Sequence, residues 1–161
     1  MIRINELSDF ESASAGERLC RMAFALALCN QADQIVFDYY PERYGVWIRY
    51  WSEGTLHELG GMPEPAAIWP ELMRDLLGDV VVTSTGVPDH PAVGTVPVLI
   101  GGVLRHFDLL CYRGQIGEHV WVELKCPPDV SEAAEHFLRQ ISAHRAGRGV
   151  RLDFPLPSPN P

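Results

Sequence analysis

Residues 32–59 read ADQIVFDYYPERYGVWIRYWSEGTLHEL, and this stretch decides the fold. From Gln34 to Tyr39, β-branched and aromatic residues alternate in the way that suits a pleated, half-buried ribbon. Pro41 lacks the N–H a ladder needs, and Gly45 restarts the chain as a second run from Val46 to Trp51. Ser52-Glu53-Gly54 then supplies a hairpin turn, with Gly54 free to take positive φ, and Thr55 to Leu59 returns as a third strand. Because side chains alternate, Trp47, Arg49 and Trp51 share one face while Val46, Ile48 and Tyr50 share the other. Both faces carry large side chains, which predicts some cover on each.

Working outward, Ser14-Ala-Gly-Glu17 has the form of a capping box, and Leu19, Met22, Ala23, Leu26 and Ala27 follow at helical spacing to about Asn30, which tolerates a left-handed cap. Residues 1–13 read as an N-terminal arm, loosely held before Ser8. Ile68, Leu72, Leu76 and Leu77 mark a second helix, and Val80-Val81-Val82 suits a short strand. Residues 84–92 read as a loop. Val96 to Ile100, Gly101-Gly102 and Val103 to Tyr112 form a second hairpin, in which Pro97 argues for a free edge at that position. His119 to Cys126 is the last strand, and Asp129 or Ser131 opens a closing helix to about His144. Residues 147–161 end in Phe-Pro-Leu-Pro-Ser-Pro-Asn-Pro, which suits an extended tail and not a ladder. The expectation is a single α+β domain over residues 14–146, a mainly antiparallel sheet of about five or six strands packed with about three helices.

Composition narrows the function. The chain has 161 residues, 47% of them hydrophobic, enough for one core. Its 13 Lys+Arg against 21 Asp+Glu give a formal net charge of −8, which repels phosphate backbones and argues against nucleic acid. Arg139, Arg145, Arg148 and Arg151 read as the basic end of a helix, complementing its dipole. Cys20, Cys29, Cys111 and Cys126 show no Cys-x-x-Cys spacing and read as free thiols; Cys111 with His106 or His119, or Cys126 with His119, only loosely approaches a zinc set. No metal or cofactor is expected. The polar N-terminal residues and short apolar runs predict a soluble, cytoplasmic protein without membrane insertion.

No Gly-x-x-x-x-Gly-Lys-Ser/Thr loop is present to cradle phosphates. Asp38, His57, Glu58 and Asp108 are the acid-base residues on offer, but they fall on different strands with no nucleophile beside them. Ser84 lacks the Gly-x-Ser-x-Gly frame of a nucleophile elbow. The expectation is that the chain is not an enzyme.

The order of these segments resembles the sheet-rich domain that precedes the motor in type II secretion and type IV pilus assembly ATPases. Ala32 to Asp38 stands at the family's first strand and Ile48 to Leu59 at its Arg-x-Arg-x-Asp-Gly hairpin, of which Arg49 keeps the first arginine and Glu53-Gly54 the acid-glycine pair. Val96 to Gly102, Asp108, and Gly117-Glu118 leading to Leu124 continue the order, over about residues 17–127. The resemblance implies a PAS-like arrangement. It also implies arginines aimed at a nucleotide held by the motor. Here Trp51, Leu110, His119, Glu123 and Thr95 stand at positions where the family carries arginine, and Arg49 alone remains.

A protein-interaction or regulatory module follows, with a secretion or pilus ATPase, another assembly component, or a second copy as partner. The alternatives are a small-molecule sensor of PAS-like architecture and a fragment of a broken ATPase gene. Arg49, Trp51, Glu53, Gly54, Asp108, Gly117, Glu118 and Trp121 are the candidate interaction positions. Each has a plainer reading: Glu53-Gly54 as a turn, and Trp47, Trp51 and Trp121 as core.

Overall fold

A computed structural model describes residues 1–43, 45–60, 64–84, 92–114, 116–125 and 127–147. Of the loop expected at 84–92, Ser84 and Ala92 instead fall in strands, and 85–91 lie outside the described residues, as do the candidate zinc ligand Cys126 and the proline-rich segment from 148.

The capping box forms as read. Ser14 Oγ accepts from the Glu17 N–H at 3.4 Å and a Glu17 carboxylate oxygen accepts from the Ser14 N–H at 3.0 Å, opening helix α2, Ala15–Cys29. α2 is the centre of the molecule, and every residue from Leu19 to Leu28 is buried. Its one buried cation, Arg21, is matched by Asp75 of helix α3 (Trp69–Leu77) through Nε at 3.0 Å and Nη2 at 3.2 Å. Gly16 allows the two helices to meet, since a Cβ there would lie 2.5 Å from that of Glu71. At the other end of α2 the expectation is corrected. Asn30 does not take the left-handed conformation; its amide donates to the Leu26 carbonyl at 2.7 Å and Gln31 turns the chain instead, at φ 52°.

The strands are β1 (Ile2–Ile4), β2 (Gln34–Tyr40), β3 (Gly45–Ser52), β4 (Thr55–Glu58), β5 (Glu64–Pro65), β6 (Val81–Ser84), β7 (Ala92–Ile100), β8 (Val103–Arg113) and β9 (Glu118–Glu123). They form one mixed, mostly antiparallel sheet in the order β1-β7-β8-β9-β2-β3-β4, with β5 on β3 and β6 on β7. Nine strands among the described residues exceed the five or six expected, chiefly because β1 and β5, of three and two residues, are too brief to leave a periodic signal. Both tight hairpins are two-residue turns with φ positive at each centre: 51° and 73° at Glu53-Gly54, 55° and 80° at Gly101-Gly102. That is the type I′ geometry whose twist matches the strands. Pro97 falls between Thr95, which pairs with β6, and Val98, which pairs with β1, so its missing N–H costs no ladder bond on that side.

The N-terminal residues correct a second expectation. Residues 1–13 are not a loose arm: β1 lies parallel to β7, Ile2 and Ile4 are fully buried, and helix α1 (Leu7–Glu11) brings Phe10 edge-on to Phe137 at 6.4 Å. Two apolar residues at alternate positions were enough to seat a three-residue strand. The closing helix α4, Pro128–Gly147, starts with proline at its first position, where no N–H is needed. Neither Asp129 nor Ser131 precedes it as a cap; Asp129 pairs with Arg105 instead.

The four α-helices among the described residues contribute to one core on one face of the sheet. Ile35, Phe37, Val46, Ile48, Tyr50, Val96, Val98, Phe107, Leu109, Val120 and Val122 point into it, each of the larger ones worth about 1.5–3 kcal/mol relative to exposure. Phe24 of α2 sits between Phe37 at 6.1 Å and Phe107 at 6.3 Å.

Candidate functional site

With Ile35, Phe37, Val46, Ile48 and Tyr50 turned to the helices, the alternating partners must turn the other way. Strand register then aligns them in rows. One row holds Trp47, Asp38, His119 and Tyr112; the next holds Glu58, Arg49, Val36, Trp121 and Leu110; the third holds Leu56, Trp51, Gln34 and Glu123. Asp108 and Thr95 continue the same face on β8 and β7. Among the described residues no helix lies on this face. Trp51 is 39% exposed and Leu56 38%, while Trp47 and Trp121 are half-buried.

The face is organised by one buried acid. Asp38, only 2% exposed, meets the Arg49 guanidinium with one carboxylate oxygen and His119 Nδ1 at 2.6 Å with the other. A carboxylate so buried needs partners for both oxygens, and a cation on one side with an imidazole on the other supplies them. Arg49 is held firmly in its charged form: burial pulls its pKa down, but the hydrogen bond and charge of Asp38 outweigh it and leave the pKa raised. The His119 ring is stacked on Tyr112 at 6.2 Å and meets the edge of Tyr40 at 5.5 Å. His119 and Asp38 have the spacing of a base and its orienting acid, yet Asp38 is shared with Arg49 and the aromatic rings enclose the imidazole. Its two ring contacts are phenols, Tyr112 and Tyr40. The arrangement is suited to fixing a cation and three rings on a surface.

Of the candidate positions, Arg49, Trp51, Trp121 and Asp108 come together on this face. Glu53 and Gly54 form the exposed β3–β4 turn at its rim. Gly117 and Glu118 do not join them. Glu118 lies in register with Tyr39 on the helix-covered side, where it accepts the Trp69 indole N–H at 2.9 Å and pairs with Arg113 at 3.1 Å. Trp69 in turn stacks on Tyr39 at 5.3 Å. Gly117 is required by close approach, because a Cβ there would lie 2.0 Å from the Tyr39 carbonyl oxygen. The tryptophans of β3 and β9, read as core by default, lie on the face away from it.

The sequence offered Asp38 as an acid-base candidate, and His119 as an arginine replacement and a loose zinc ligand, but did not pair the two. Their contact spans 81 residues, and no local spacing announces it. His106 is exposed on the open face and Cys111 turns to the core side, so Cys111 does not join His106 or His119, while Cys126 lies outside the described residues; among the described residues no group of three or more His, Cys, Asp or Glu is placed to hold a metal. Two open clefts lie at the ends of strands, one of about 310 Å³ beside Asp33, Glu123 and the start of α4 at Pro128 and Ser131, the other of about 410 Å³ beside Pro41, Arg113 and Gly117. Among the described residues no helix is long and apolar enough to cross a membrane. No family model matches the chain, and no curated protein matches it.

Proposed function

We propose that this chain is a non-catalytic protein-interaction module that docks a partner through the helix-free face of its sheet, a PAS-like counterpart of the pre-motor domain of secretion and pilus ATPases working in the cytoplasm. The observation that carries the reading is the face itself, with three tryptophans around an arginine held in place by a buried aspartate. Aromatic residues and arginine dominate binding energy at interfaces, and rigid ones lose little entropy on binding. Arg49, Trp51, Thr95, Leu110, His119 and Glu123, the positions at which the resemblance puts arginine, all fall on this one face. The arginines that assist phosphoryl transfer in the family are thus replaced on the surface where they would act, which supports docking without stimulation of hydrolysis.

Sensing is less well supported. A PAS-like sensor holds its ligand between sheet and helices, and here Phe24, Phe37 and Phe107 fill that layer. The test is association with the motor of a secretion or pilus ATPase from which the pre-motor domain has been deleted. Co-elution that is lost in a Trp51→Ala/Trp121→Ala variant is the expected result. Association indifferent to that variant, or none, refutes the docking face, and turnover of nucleoside triphosphate by the purified chain refutes the non-catalytic reading.

A further inference from the structure

We infer that the partner segment received by this face is cationic: an extended stretch of a protein that alternates arginine or lysine with apolar residues. The inference rests on the docking reading and adds the chemistry of what docks. On this face of β8, β9, β2, β3 and β4 the one arginine, Arg49, is already matched to Asp38, whereas Glu58 and Asp108 are exposed and have no ion-pair partner among the described residues. Asp108 and Glu123 each stand one position beyond the paired residues Leu109 and Val122, so continuation of the register would set two carboxylates opposite each other on neighbouring strands. Like charges opposed in this way destabilise a sheet, and Gln34 offsets only part of it by donating to Glu123 at 2.7 Å. A cation placed between them removes the repulsion.

The aromatic rings point to the same ligand. Trp51, 39% exposed, and Trp121 lie between Asp108 on one side and Glu58 on the other, and a tryptophan face is the best side-chain acceptor for a guanidinium or ammonium. From β8 to β4 is four strand spacings, roughly 19 Å, which an extended segment of about six residues spans. A second copy of the chain would bring these carboxylates against themselves, and nucleic acid would bring phosphates. The formal charge of −8 adds long-range attraction for a basic segment.

Two nine-residue peptides, one alternating Arg with Leu and one alternating Glu with Leu, are titrated against the intact protein while hydrogen exchange of β3, β8 and β9 is followed. The arginine peptide is expected to slow exchange there, to weaken as salt is raised, and to bind about five- to tenfold more weakly to an Asp108→Asn/Glu123→Gln variant. That variant is also expected to melt no lower than the wild-type protein, because the repulsion is gone. Equal or better binding of the glutamate peptide, or arginine-peptide binding indifferent to the two substitutions, overturns the inferred chemistry and leaves the docking face standing. If neither peptide alters exchange on these strands, the inferred chemistry and the docking face fall together.

Discussion

Replacing Asp38 by Asn removes the charge at the centre of the site while keeping its shape and one acceptor oxygen. Breaking a fully buried ion pair costs about 3–5 kcal/mol because the surviving charge is stranded. Asp38 is buried, but the Arg49 side chain is 28% exposed and recovers some water, and the substituted amide still accepts from His119 through its oxygen. The cost therefore falls to about 2 kcal/mol, or roughly 4–8 °C in melting temperature for a chain of this size. Removing the arginine as well, in Asp38→Asn/Arg49→Met, leaves no stranded charge and is expected to recover at least about half of the loss, a coupling of about 1 kcal/mol or more. Urea unfolding followed by tryptophan fluorescence measures both, since Trp47 stands in register with Asp38 and Trp121 beside it. Asp38→Asn within about 0.5 kcal/mol of wild type, or strict additivity of the two substitutions, would refute the view that this acid holds the face together.

Three further outcomes follow from the geometry. The Tyr50 hydroxyl is buried with no hydrogen-bond partner while its ring stacks on His57 at 4.9 Å, so Tyr50→Phe keeps the packing and is expected to gain about 1 kcal/mol at neutral pH by calorimetry. Burial, with a smaller contribution from Cys29, pushes this phenol up to about 12, so between pH 10 and 12 the unfolded chain loses its proton first and stability falls as pH rises; the contribution is intact below pH 10. Burial also raises the thiols of Cys20, Cys29 and Cys111, which starts the alkaline decline near pH 9, and Tyr50→Phe is expected to flatten only its later part. Gly117→Ala forces a Cβ against the Tyr39 carbonyl and is expected to cost roughly 3 kcal/mol; a melting temperature within about 2 °C of wild type would contradict the register of β9 on β2. Trp51→Ala, by contrast, is expected to change stability by less than about 1 kcal/mol while abolishing partner binding.

Glu53-Gly54 and Gly101-Gly102 were legible as turns, and Ser14 with Glu17 as a helix start, because each is decided by residues within a few positions of one another. Strand alternation likewise placed Trp47, Arg49 and Trp51 on one face from the sequence alone. That pattern is blind to which face is covered, since large side chains stand on both. The placement of α2 and its companions against Val46, Ile48 and Tyr50 decided it, and so turned the tryptophans outward.

What these 161 residues determined alone was the local repertoire: the three longer helices, the two hairpins, and the shortage of basic charge. Assembly of the sheet decided the rest. Asp38 finds His119 across 81 positions, Arg21 finds Asp75 across 54, and Ile2 finds Val98 in a parallel strand that no turn connects. Such contacts depend on burial shared between distant segments, where a carboxylate or an arginine is stable only once its counterpart has been brought to it. A one-dimensional pattern records the need for a partner, and the fold supplies which one.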